Sequence, residues 1–321
     1  MSDAPLRASV FTEALSSDWD TFVEHSDNGT MLHTRRFLSY HGDRFRDTSL
    51  VLFTQDELVA VLPAAEDPQD PSLVVSHPGL TYGGLVYGEA LRGERSTEAL
   101  RLVSATFAEM GYARLRYRSV PCVYHTRLAE DDAYALQRIG ATRSRCDLLT
   151  AIDLATERRL NHGRRYGAKR AVREGVEVDV SWQHLPAFWK VLEETLRSRF
   201  RATPVHSLTE INTLRERFPE RVRLLVAERH GDVLAGVVLF AAGRALHMQY
   251  SAASDVGRRS RAMDLVIGEA IEIAKQGGFR FFALGTSNGE PGGELNGSLY
   301  EFKLSFGAGS IAQEEFELLL G

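Results

Sequence analysis

The chain has 321 residues, more than one hydrophobic core usually serves, so two domains are expected. Hydrophobic residues at 44% and charged residues at 25% are those of an ordinary folded protein with a large core. A net charge of −5 excludes a surface given over as a whole to nucleic acid or membrane, while leaving room for a local basic patch.

Two cysteines, Cys122 and Cys146, lie far apart and form no C-x-x-C pair, so neither a disulfide framework nor a zinc site is implied, and no metal is expected. The N-terminal Met-Ser-Asp-Ala-Pro-Leu-Arg has no apolar signal core, and no later apolar run approaches bilayer length. A cytoplasmic protein is the expectation.

In chain order, a helix is predicted from Ser16, capped by Ser16 or Ser17, with Trp19, Phe22 and Val23 on one face. A short helix over 35–40 leads to a hairpin, 50–53 and 58–62, turning at Asp56-Glu57. After a polar, proline-bearing loop over 66–72, the run from Ser76 to Tyr87 reads as one strand interrupted by Gly79, Gly83 and Gly84, a sign of a bulge or a close backbone approach. A helix over 96–110, with Leu100, Val103, Phe107 and Met110 on one side, and a strand over 113–118 complete the first half.

The stretch 129–218 is expected to be mostly helical, with a helix over 185–197 and a Ser207/Glu210 capping box starting another. The second half then repeats the first: a hairpin 222–227 and 233–240 turning at His230-Gly231-Asp232, a strand 246–252, a helix 262–275 and a strand 279–284. Two copies of one unit, hairpin, strand, helix and strand, are therefore predicted.

The last of those strands runs into Gly285-Thr-Ser287-Asn-Gly-Glu-Pro-Gly-Gly-Glu-Leu-Asn296-Gly297, after which a helix begins near Ser298 and carries Lys303. Glycines let backbone approach a ligand closely, and a helix start aims free N–H groups at negative charge. Lys303 would then be either a fixed positive charge or a merely solvated one. Gly285-Thr-Ser287-Asn-Gly289 also satisfies the G-x-S-x-G pattern of a hydrolase elbow, but the loop continues through Glu290-Pro291 instead of turning at once into a helix, so that reading is set aside. No H-E-x-x-H, Walker loop or G-x-G-x-x-G is present.

Between the copies, the run 157–173 holds seven positive side chains against one negative. Such a run is either a solvated face or, through Arg164, Arg165, Lys169 and Arg170, a phosphate-binding one. His206 is either a loop histidine bonded to backbone or a substrate contact, His247 is expected to be packed, and Tyr250 is the better candidate to face a cleft.

The repeated unit resembles the GNAT acyltransferase fold, and more particularly the Fem-type and BioF2-like families, which carry two such domains in tandem. The likeness rests on Arg164-Arg165-Tyr166 through Lys169-Arg170 to Gly175, Pro204-Val-His206-Ser-Leu-Thr-Glu210, Gln249-Tyr250-Ser-Ala-Ala-Ser254, and Leu284-Gly-Thr-Ser287 through Asn296-Gly297 to Phe302-Lys303-Leu-Ser-Phe306-Gly307. It implies an α/β fold of two tandem domains, residues 1–150 and 151–308, with 309–321 returning to the first. Each would hold a mixed, mostly antiparallel twisted sheet flanked by helices, the two meeting at a cleft lined by 285–297.

The resemblance implies an N-acyltransferase moving an activated acyl or aminoacyl group to an amine of a cell-envelope or other small-molecule acceptor, with no bound cofactor and acetyl-CoA or aminoacyl-tRNA as co-substrate. The acceptor would be nucleotide-linked or phosphate-bearing, and tRNA is a candidate partner. Lys303 is the expected catalytic residue. Tyr82, Gly83, His206, Tyr250, Gly285, Ser287, Asn296, Gly297 and Tyr300 are the expected substrate contacts, with the four cations above for phosphate.

Three departures stand out. The chain lacks the long coiled-coil arm that some Fem proteins insert, the strand ending Arg116-Tyr-Arg118-Ser-Val-Pro121 lacks the acidic residue of a general base, and Asp255-Val-Gly257-Arg258-Arg-Ser-Arg261 lacks the Gly-x-Gly that wraps a diphosphate. An acetyl-CoA-dependent GNAT enzyme and an inert GNAT-like binding module are the alternatives.

Overall fold

A computed structural model describes residues 4–156, 161–289 and 291–321. The chain divides into two compact units, Met1–Leu148 with Glu290–Gly293 and Ala312–Gly321, and Leu149–Gly289 with Glu294–Ile311.

In unit 1 the alternating apolar runs form β1 (Leu6–Val10), β2 (Leu50–Thr54) and β3 (Glu57–Leu62), joined antiparallel, with the two-residue β6 (Val86–Tyr87) on the far side of β3. Thr54 pairs with Glu57, so the hairpin turns at Gln55-Asp56 and not at Asp56-Glu57, with Gln55 in the left-handed region at φ 55°. The first helix, α1 (Ser16–His25), follows a short 3₁₀ turn over Glu13–Leu15, and neither predicted serine caps it. α2 (Arg35–Leu38) comes next.

Three further expectations fail in this unit. The polar stretch after β3 is itself a hairpin, β4 (Ala65–Asp67) and β5 (Asp70–Val75). The predicted strand 76–87 keeps only β6, and the stretch before it is irregular because Gly83 lies against Ser76, where an added Cβ would sit 1.8 Å from its carbonyl oxygen. Beyond β7 (Arg114–Arg118), a helix α4 (Asp131–Arg138) gives way to a twelve-residue strand, β8 (Thr142–Asp153), where mostly helix is predicted.

Unit 1 therefore holds two sheets, β1-β2-β3-β6 and a second in the order β4-β5-β7-β14-β8, where β14 (Gly309–Leu319) pairs antiparallel with β7. The helix α3 (Glu94–Glu109) makes the crossover between the parallel strands β5 and β7. Leu100, Val103 and Phe107 on its apolar side pack with Leu50, Leu52, Leu115 and Tyr117.

Unit 2 contains residues 149–153 of β8, in a sheet ordered β8-β13-β12-β11-β10-β9. Its strands are β9 (Glu177–Asp179), β10 (Val222–Arg229), β11 (Asp232–Ala242), β12 (Ala245–Ala253) and β13 (Phe281–Thr286). All neighbours are antiparallel except β12 and β13. His230 and Gly231, both at positive φ, make the two-residue turn between β10 and β11.

The helices of unit 2 are α5 (His162–Arg173), α6 (Leu185–Phe200), α7 (Leu208–Arg217), the five-residue α8 (Asp255–Arg259), α9 (Ala262–Gln276) and α10 (Gly297–Leu304). Period-two alternation along β11 sends Ala235, Val237 and Leu239 into the core with α9, while Gly236 on the other face lies under Phe188 of α6. The sheet is thus covered on both sides. The predicted capping box forms, with Ser207 and Glu210 each bonding the other's backbone. No helix of the described residues is long and apolar enough to cross a membrane.

Candidate active site in unit 2

The parallel strands β12 and β13 pair over only three residues, Ala245 to His247 against Phe281 to Ala283, although both run further. They part at Met248 and Leu284. A crevice at the carboxyl ends of parallel strands is where open α/β sheets take ligands. A bulge lies beside this split: Val238 pairs with Tyr250 and Leu239 with Met248, which leaves Gln249 outside the ladder.

On the β13 side, Gly285 adopts φ 77°, which a residue with a Cβ rarely does, and its partner on β8 is Thr150. The Gly285 carbonyl oxygen accepts hydrogen bonds from Thr150 Oγ1 at 3.1 Å and from Lys303 Nζ at 3.0 Å. The Thr286 carbonyl accepts a second bond from Lys303. Asn296 caps α10, its Oδ1 accepting from Leu299 N at 3.0 Å, and so fixes the start of the helix whose last turn carries Lys303.

Lys303 is 4% exposed, and among the described residues its ammonium is held by carbonyl oxygens with no carboxylate beside it. Burial lowers its pKa to about 8. Burial first, and then the Lys303 charge, press the His247 imidazole down to about 4, so that side chain is neutral. The crevice therefore carries one positive charge on a group that titrates close to neutrality.

The loop 285–297 is braced by its own backbone: Asn288 bridges Leu295, Gly289 N donates to Glu294 O at 2.9 Å, and Asn296 N donates to Ser287 O at 2.9 Å. Ser287 is fully buried, and its Oγ meets no partner among the described residues, histidine included. Gly297 is the first residue of α10, and the Tyr300 hydroxyl bonds Ser310 Oγ at 2.7 Å. Glu290 lies outside the described residues.

His206 and Tyr250 are joined: the Tyr250 hydroxyl accepts the His206 backbone N–H at 3.1 Å and shares a 2.7 Å bond with Nδ1. Burial raises the tyrosine's pKa. His206 lines a cleft of about 410 Å³ with Trp189, Glu193, Arg197, Pro204 and Leu208.

Other predicted contacts lie elsewhere. Tyr82 and Gly83 belong to the packing of unit 1, where Tyr82 is 2% exposed, stacks on Tyr124 with centroids 4.7 Å apart and donates to Thr30 Oγ1. Arg164 is engaged within the chain: its Nη1 donates to Asp264 at 2.6 Å, its Nε to Ser305 Oγ at 2.7 Å, and the guanidinium lies over Phe302. Arg165 and Lys169 are exposed on α5, and Arg170, also exposed, pairs with Glu174. Residues 157–160 of the basic run lie outside the described residues.

Asp264 itself was not anticipated. It stands in the first turn of α9, 3% exposed, between Arg164 and Arg261 at 2.6 Å each. A helix start is a ready anion site, and here the chain fills it with its own carboxylate. The glycine before α9 has another task, because a Cβ on Gly257 would sit 2.0 Å from the Leu234 carbonyl oxygen. Thr150 lies in β8, within the stretch 129–218 expected to be mostly helical. Glu193 and Arg197, by contrast, share a helical stripe with Trp189 that i, i+4, i+8 spacing would have found.

The splayed parallel pair, the bulge beside it and the covering α9 are the arrangement of a GNAT-type domain. Residues 156–303 match the family model of the acetyltransferase (GNAT) domain, so this part of the chain is a GNAT-type domain. Among solved structures it is similar to FemX (TM-score 0.72, 12% identity, 98% of this chain and 97% of that one) and to L-PGS from Bacillus licheniformis (0.63, 14%, 94% and 90%). A tandem GNAT protein from the clavulanic acid biosynthesis pathway is similar along its whole length (0.54, 10%, 98% and 99%). At such identities the likeness is one of fold, and it makes the chain a tandem GNAT-like protein with Fem-like architecture. A search of curated proteins found no match.

Proposed function

We propose that the protein transfers an acyl or aminoacyl group to an amine of a cell-envelope or other small-molecule acceptor. The observation that carries this reading is the Lys303 ammonium, buried with only carbonyl oxygens around it where β12 and β13 part. A positive charge kept from water and left without a carboxylate is suited to an oxyanion as it develops, or to an anionic group of the acceptor. In the transfer, the amine attacks the donor carbonyl, a C–N bond forms, the bond to the donor's leaving oxygen or sulfur breaks, and the amine's proton ends on that leaving group.

The donor we favour is an aminoacyl ester of tRNA. Asp264 at the start of α9 disfavours a diphosphate there, which speaks against acyl-CoA, while the exposed Arg165 and Lys169 on α5 offer charge to a polyphosphate backbone. The purified chain is to be incubated with an amine acceptor and either acetyl-CoA or charged tRNA, at two salt concentrations, with the product followed by mass. An acyl product from charged tRNA, with tRNA binding that weakens steeply with salt, is the expected result. Acetylation with saturable acetyl-CoA binding and no affinity for tRNA would overturn the donor assignment. No product from either would overturn the reading.

A further inference from the structure

We infer that the cleft between α6 and residues 203–210 is a binding site for an α-amino acid zwitterion, the carboxylate held by Arg197 and the ammonium by Glu193. Its volume, about 410 Å³, falls at the lower end of the roughly 300–1,000 Å³ range of small-molecule sites, which suits a single amino acid and not a polymer.

The charges follow from the helix. Trp189, Glu193 and Arg197 stand at i, i+4 and i+8 on α6, so all three face one way. Glu193 and Arg197 are one turn apart, about 5–6 Å between Cβ atoms, a spacing at which two such side chains commonly pair with each other. Here both line the cleft, and among the described residues neither makes an ion pair. The other carboxylate of the cleft, Glu210, is already committed to its capping box with Ser207. What remains is one negative and one positive side chain, adjacent and unneutralised, the complement of the adjacent ammonium and carboxylate of an α-amino acid. Trp189, Pro204 and Leu208 supply apolar wall for its side chain.

As to its place in a reaction, this inference rests on the acyltransferase reading, since the amine at Glu193 would be that of the acceptor. The binding itself does not need activity. Calorimetric titration of the full chain uses three probes of one shape: L-leucine, L-leucinamide, which lacks the carboxylate, and 4-methylpentanoate, which lacks the amine. L-Leucine is expected to bind saturably, and the other two at least about tenfold more weakly. Glu193→Gln should weaken L-leucine about tenfold and leave 4-methylpentanoate unchanged, whereas Arg197→Gln should weaken L-leucine and leave L-leucinamide unchanged. Both side chains are exposed, so the variants are expected to melt with the parent. No saturable binding of L-leucine, or equal binding by the parent and both variants, overturns the site. Transfer activity without L-leucine binding would sink this inference alone, and binding without transfer would sink the acyltransferase reading alone.

Discussion

The two units run through the same order of elements and part company at one strand. In unit 2, β12 is a single strand that pairs with β11 on one side and β13 on the other. In unit 1 its place is taken by two short strands, β6 on β3 and β5 on β7, with an irregular stretch between them. One sheet becomes two, and the gap fills with Tyr82, His77 and the glycines that let backbone cross backbone. The charges differ to match. Unit 1 pairs its arginines and carboxylates into a lattice, with Arg116 and Arg118 both on Glu315 and Arg145 on Asp147, while unit 2 leaves Lys303 among carbonyls. Neutralised charge is what a packing surface requires, and a lone buried cation is tolerated where it has work to do.

The comparison breaks first at Lys303. Lys303→Ala is expected to lower kcat/KM by about 10²–10³ if the ammonium meets a developing oxyanion; a change in KM alone would make it a binding charge instead. The pH dependences have opposite signs. The folded pKa, about 8, lies below that of the unfolded lysine, so between about pH 8 and 10.5 the unfolded chain binds more protons and stability rises with pH. Activity should fall over the same range as the charge is lost. Lys303→Met, melted at pH 7 and pH 9, should flatten the stability profile and be at least as stable as the parent at pH 7. A variant clearly less stable at pH 7 would show that the lysine is structural.

Next in size is Asp264. Its removal leaves Arg164 and Arg261 without their shared partner at the start of α9, and Asp264→Ala should cost about 3 kcal/mol in denaturant unfolding. A cost under about 1 kcal/mol would mean that the helix start is open to an outside anion, and would revive a diphosphate-bearing donor. In unit 1 the matching test is Tyr117→Phe. That hydroxyl accepts from Leu85 N at 2.7 Å and donates to the buried Asp132 at 2.7 Å, so its loss should cost about 1–2 kcal/mol and leave transfer unchanged.

Much of this was legible in the sequence, for reasons that differ by element. The hairpins and α9 could be read because alternating and 3.6-period apolar runs report burial directly, and the Ser207/Glu210 box because both of its bonds are local. β8 was not, because its first third, Thr-Arg-Ser-Arg, is largely exposed and carries no apolar alternation. At the site, the spacing of the loop and helix singled out Lys303, but its partners are the Gly285 and Thr286 carbonyls, which every residue possesses and no sequence marks. Charge counting could not separate Arg164 from Arg165. Only the fold shows that one turns inward to Asp264 and the other outward to water.

The smallest effect should come from the rim of the unit 1 lattice. Arg143 pairs with Glu314 at 2.8 Å but is 58% exposed, so the attraction is screened by solvent and offset by the entropy of holding two long side chains together. Arg118 sits deeper: it pairs with Glu315 at 2.7 Å and also donates to the Leu80 carbonyl at 3.2 Å, so its removal strands acceptors that water does not easily reach. Arg143→Ala should move the melting midpoint by no more than about 2 °C, and that shift should vanish at high salt. Arg118→Ala should give a larger shift that persists in salt. Equal, salt-sensitive shifts for the two would mean that the lattice is a surface decoration throughout, and the contrast with the solitary charge of unit 2 would lose its physical basis.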